Sequence, residues 1–102
     1  MSALYVAGPM SGYPRCNYSA FNQAAAQLRA TGYHVENPAE NPEQADWAGY
    51  MRAAIAQVIR VDGIATLPDW QQSRGAALEV HIAHALQVPV LPLERWLRDG
   101  VR

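Results

Sequence analysis

The sequence predicts an α/β domain built on a parallel sheet with helices on both faces. Three observations carry that expectation. Short apolar runs alternate with segments of helical period along the chain. The helical segments carry apolar faces, as crossovers between parallel strands must. Gly or Pro punctuates the joins.

Ala3-Leu4-Tyr5-Val6-Ala7 reads as the first strand, ended by Gly8-Pro9. The segment Gly8 to Cys16 contains two Gly and two Pro and reads as a loop. Asn17 is a plausible N-cap for a helix from Tyr18 to about Thr31, with Phe21, Ala24, Ala25 and Leu28 on its apolar face and Gly32 at C′. Tyr33-His34-Val35-Glu36 follows as a second strand. Two Pro then make Asn37 to Pro42 a loop. Asp46 can cap a second helix presenting Met51, Ile55, Val58 and Ile59. Asp62 to Leu67 reads as the third strand, and a third helix runs from about Arg74 to Leu86 with Ser73 as its N-cap. Val88 to Leu91 is a fourth strand, which Pro89 places at an edge. Glu94 to Arg98 forms a last helical turn or two. The expected strand order is flavodoxin-like, about 2-1-3-4. Ligands then bind beyond the carboxyl ends of the first and third strands.

The 102 residues suffice for one compact domain, taken as 1–102, and half of them are hydrophobic. The net charge is −1, with no long run of either sign. That argues against polymeric nucleic acid and against a membrane surface as partners, and leaves small anionic ligands open. Cys16 is the only cysteine, so no internal disulfide or cysteine metal cluster is available. A reducing cytoplasm is the simplest compartment. No basic-then-apolar leader precedes Met1-Ser2-Ala3-Leu4 and no run nears the length of a membrane span.

The residues that suggest chemistry gather at the expected ligand end. Glu79 lies at the sixth position of the third helix, too deep to cap, among Ala76, Ala77, Leu78, Val80 and Ile82. A carboxylate in that company is a candidate nucleophile, or a stabiliser of an oxocarbenium-like centre, rather than one more solvent-facing Glu. Tyr5 sits two residues before the end of the first strand. It is a possible proton or hydrogen-bond donor there, or a core tyrosine whose hydroxyl reaches the edge. Gly8-Pro9-Met10-Ser11-Gly12 can bring backbone N–H groups close to a ligand, though it is neither a dinucleotide fingerprint nor a P-loop, and a plain turn-rich loop reads equally well. Ser73-Arg74-Gly75 can hold an anion at a helix start, or be a cap beside a solvated Arg.

Asp69 is a second carboxylate at the same end, and Trp70 beside it can stack on a base or cover the sheet rim. Asp62 begins its strand, ~15 Å from that end at ~3.3 Å per residue, and is read as structural. His81 and His84 share a helix face without a third ligand, so no metal is expected.

Taken in order, these segments resemble the nucleoside 2-deoxyribosyltransferase superfamily, in particular its small phage- and prophage-associated branch. The resemblance lies in Tyr5-Val6-Ala7-Gly8-Pro9-Met10-Ser11-Gly12, Asn17, Phe21 and Asn37-Pro38-Ala39-Glu40. It continues through Tyr50-Met51-Arg52, Asp62-Gly63-Ile64, Leu67-Pro68, Trp70 and Ser73-Arg74-Gly75-Ala76, and ends at Leu78-Glu79. It implies a flavodoxin-like fold and cleavage of the base–sugar bond of a nucleoside or nucleotide. Glu79 would attack C1′, Tyr5 would assist, and Ser73 would bind the 5′ phosphate or hydroxyl. The Gly8–Gly12 loop would line the sugar and base pocket.

The resemblance further implies no cofactor and a homodimer or larger assembly. Trp47, Trp96 and the His81/His84 face are candidates for its contacts. One departure bears on activity: where the branch usually carries Asp, this chain has Ala54. An impaired enzyme acting as a nucleotide binder or sensor is therefore the alternative. A structural subunit, with an empty or plugged pocket and Glu79 paired to Arg, is a third.

Overall fold

Leu4 and Val6 alternate with Tyr5 and Ala7 along the first strand, and a strand sends successive side chains to opposite faces. All four are buried, so the strand is covered on both sides. The computed structural model, which describes residues 2–100, shows how. β1 (Ala3–Ala7) lies between β2 (His34–Glu36) and β3 (Gly63–Thr66), and β4 (Val90–Pro92) flanks β3. Every neighbouring pair is parallel and the order is 2-1-3-4, the flavodoxin-like arrangement expected.

On one face Leu4 and Val6 pack with Phe21, Ala24 and Leu28 of α1 (Tyr18–Ala30) and with Trp96 and Leu97 of α4 (Leu93–Asp99). On the other, Tyr5, Ala7 and Ile64 pack with Ala54 and Val58 of α2 (Trp47–Val58) and with Ala76 and Ala83 of α3 (Arg74–Ala85). Each fully buried Leu, Ile, Val or Phe contributes roughly 1.5–3 kcal/mol relative to exposure. From β1 the chain crosses to β2 on one side and later to β3 on the other. The loops leaving β1 and β3 therefore diverge and leave a crevice between them.

Several local expectations change. Asn17 precedes α1 but does not cap it: its backbone is left-handed, with φ 60°. Its Nδ2 instead donates to the Pro9 carbonyl at 3.0 Å. Arg15 and Cys16 are left-handed too, with φ of 50° and 55°, so three successive residues before α1 share that backbone. In α2, Asp46 caps as expected, its Oδ1 accepting from the Gly49 N–H at 2.8 Å. The buried residues there are Ala54, Gln57 and Val58, whereas Ile59 is 61% exposed. Small Ala54, packed with Tyr5 in the core, lies on the side of α2 that meets the sheet, and Ile59 at the C-cap turns away. The loop from Asn37 contains a short 3-10 turn, Pro38–Glu40, capped by the Asn37 side chain.

Strand ends shift by a residue or two. Pro89, which has no N–H to give, still accepts from Ile64 N–H at 2.9 Å at the sheet edge. Asp62 is structural, its Oδ2 accepting from the Ala3 N–H at 2.8 Å. Trp96 is half-buried and tied into the fold. Its indole N–H donates to the Ile64 carbonyl at 2.8 Å, its ring meets Tyr33 edge-on, and it lies over Gly63, where a Cβ would stand 2.6 Å from it. No helix among the described residues is long and apolar enough to cross a membrane.

Candidate functional site

α3 begins where Ser73 Oγ accepts the Ala76 N–H at 3.2 Å, a side-chain cap that fixes the phase of everything after it. That phase turns Ala76, Glu79, Val80 and Ala83 towards the sheet. Glu79 is 6% exposed. Its Oε2 accepts a 3.0 Å hydrogen bond from the Tyr5 hydroxyl, which rises from the centre of β1. Burial pushes the Glu79 carboxyl up to about 7, against a smaller opposing pull from the Tyr5 O–H. Burial, and then the neighbouring carboxylate, hold the Tyr5 phenol well above its ordinary value, so it stays protonated. The pair therefore offers a carboxyl poised between its two states at neutral pH and a fixed donor to orient it. Among the described residues Glu79 is partnered by Tyr5 and by no arginine.

Above this pair opens a cleft of about 680 Å³, of the size that takes small organic ligands. Tyr5, Ala54 and Glu79 contribute to its lining, together with Gly8, Pro9, Met10 and Ser11 from the loop after β1. Ser73, Arg74 and Gly75 contribute from the start of α3. Three expected contributors stand outside the lining: Gly12, Asp69 and Trp70. Gly12 is exposed with φ +83°. Asp69 is exposed, and its Oδ2 accepts from the Tyr13 hydroxyl at 3.1 Å, tying the loop after β1 to the loop after β3. Trp70 is half-buried and packs against the core cluster that includes residues of α2 and α3. His81 and His84 are exposed on α3. No three His, Cys, Asp or Glu side chains among the described residues converge as a metal site requires.

Residues 2–92 match a family described as a domain of unknown function, DUF4406. The chain belongs to the DUF4406 family. A solved structure described as a conserved protein from Enterococcus faecalis V583 is similar to this DUF4406 domain, with a TM-score of 0.70 and 26% identity. The match covers 88% of this chain and 61% of that one, so the DUF4406 domain spans about three fifths of that chain's length. No curated protein matches.

The DUF4406 cleft has further walls, of which the sequence placed only Ala54 at the site. Trp47, Tyr50, Met51 and Ala54 descend one side of α2 into the cavity, at helical spacings of three and four residues. Tyr13, Cys16 and Tyr18 line it from the left-handed turn, with Phe21 below. Tyr13, Tyr18, Trp47 and Tyr50 all keep about 40% of their surface exposed (38–40%). The signal was present as the spacing 47, 50, 51, 54, but Ala54 hides it: a small residue carries little weight in an apolar pattern. Gly75 lets α3 come close to this side of α2, since a Cβ there would stand 3.2 Å from the Met51 sulfur.

Proposed function

We propose that the cleft binds a nucleoside or nucleotide and that Glu79 cleaves its base–sugar bond, as the resemblance to nucleoside 2-deoxyribosyltransferases implies. The observation that carries this reading is the buried Tyr5–Glu79 hydrogen bond at the floor of an open cleft. Burial pushes the Glu79 carboxyl up to about 7, and no arginine among the described residues partners it; a buried carboxyl of this kind costs stability at neutral pH, and this supports a reactive role.

In the proposed reaction a Glu79 carboxylate oxygen attacks C1′ of the sugar. The C1′–N bond breaks, and its electron pair leaves with the base, which takes up a proton from solvent. Water then attacks C1′ of the glycosyl-enzyme, the ester C1′–O bond returns its pair to Glu79, and a proton is released. A second base in place of water gives transfer instead of hydrolysis. Tyr5, protonated throughout, donates to the carboxylate and holds it in one orientation. Ser11, Ser73 and Arg74 supply polar contacts to the sugar and to any 5′ phosphate.

The test is to incubate the protein with deoxynucleosides and their 5′-monophosphates and follow free base by chromatography. The expected kcat/KM is level above pH 7 and falls about tenfold per unit below it, because only ionised Glu79 attacks. Glu79→Gln is expected to reduce release to background; equal release by wild type and variant overturns the catalytic reading.

Ala54 favours a second reading. It shares the cleft floor with Glu79, where the resembling enzymes carry a carboxylate, and general acid assistance is worth ~10²–10⁴-fold. Without it the protein binds its nucleotide and does not turn it over. Calorimetry showing saturable binding with no base release supports this reading over the enzyme.

A further inference from the structure

Arg74 and Trp47 open two different helices, and their side chains meet at the cleft. The guanidinium carbon lies 3.9 Å from the centroid of the indole ring, and both residues line the cavity. Trp47 is 40% exposed, and Tyr50, one turn further along α2, lines the same cavity. An indole beside a cavity is a stacking surface for any flat ring. The guanidinium, itself flat, lies where such a ring would lie. Little else holds it there. Arg74 makes no ion pair among the described residues. At the first position of α3 its charge also sits at the positive end of the helix.

We infer that Arg74 stands on Trp47 in place of the flat part of a ligand, and that a base takes that face when an anionic group on the same ligand draws the guanidinium away. The cleft thereby favours phosphorylated nucleosides over their unphosphorylated forms. This rests on the nucleotide reading of the cleft and adds to it a coupling between two parts of the ligand. An uncharged nucleoside must displace the cation–π contact, which lowers its affinity by about 2–5-fold. A phosphate reverses the balance, because its oxygens accept paired, charge-assisted hydrogen bonds from the guanidinium. Once Arg74 has turned to the phosphate, the ring is uncovered. Phosphate and base then bind with positive coupling, each tightening the other.

The experiment uses Glu79→Gln protein, so that ligands are not consumed. The Trp47 indole N–H signal is followed by NMR and assigned among the three tryptophans with Trp47→Phe. The probes are deoxyadenosine, inorganic phosphate and deoxyadenosine 5′-monophosphate. Saturating phosphate is expected to tighten deoxyadenosine binding about 2–5-fold. Adding Arg74→Ala is expected to tighten deoxyadenosine by the same factor without phosphate, to abolish the phosphate effect and to weaken the monophosphate. Unchanged or weaker deoxyadenosine binding in Arg74→Ala overturns the inference, since Arg74 is then a wall or a direct contact and not a competitor. Monophosphate binding without phosphate coupling overturns it too and leaves the nucleotide reading standing. Absence of binding by all three probes at millimolar concentration removes both.

Discussion

Burial of Glu79 makes stability depend on pH near neutrality. A carboxyl whose folded pKa is raised from 4.5 to about 7 binds its proton more tightly in the folded chain than in the unfolded one. Its contribution to stability is therefore fully present below pH 4.5, is lost as pH rises towards 7, and stays lost above. A shift of that size amounts to about 3 kcal/mol. Urea unfolding at pH 5 and pH 8 checks this. Wild type is expected to lose stability on that step, and Glu79→Gln, which carries no charge to desolvate, is expected to lose less and to be the more stable protein at pH 8. The same substitution that ends the proposed chemistry thus relieves the fold. Tyr5 and Glu79 were each legible in the sequence as site candidates. Their contact was not, because it joins residues 74 apart in the chain and depends on how the phase of α3, set by Ser73, meets the centre of β1.

At the scale of elements, the helix patterns were legible wherever large side chains mark the buried face, as in α1 with Phe21 and Leu28. They misled in α2, where Ile59 suggested a buried face that Ala54 actually holds. Apolar periodicity also reads a cavity-facing stripe and a core-facing stripe alike, so the spacing of Trp47 and Tyr50 did not by itself separate a cleft wall from a core face. The turn before α1 was illegible for another reason. Asn before a helix signals a cap, and here the side chain bonds backward to Pro9 while the backbone stays left-handed. Asn tolerates that backbone better than other side chains do. Asn17→Ala is expected to cost about 1–3 kcal/mol, combining the lost hydrogen bond with left-handed strain. Asn17→Gly, which keeps the backbone freedom, is expected to cost less. Thermal or urea denaturation of the two variants checks the order.

For the molecule as a whole, the two sheet faces have separate tasks. One carries the Tyr5–Glu79 pair under α2 and α3. The other packs Trp96 onto Gly63 under α1 and α4. Gly63→Ala forces the indole off its seat and is expected to destabilise by about 1–3 kcal/mol. In a chain of this size each kcal/mol lowers Tm by roughly 4–8 °C. Calorimetry should show that loss while the cleft's ligand affinities, measured well below the transition, stay unchanged. Strand order and layering were legible throughout, because alternating strands and crossover helices leave few arrangements of a parallel sheet. What the layering fixes next is length. The N–H groups of Arg74 and Gly75, at the first turn of α3, have no partner within the helix. Glu79 stands one turn beyond Gly75, about 6 Å along the axis. Because one rigid helix carries both ends, that interval does not stretch with the loops around it. α3 is a ruler laid along the cleft: under the proposed function, the ligands it selects are those whose anionic end and reacting carbon match one helical turn.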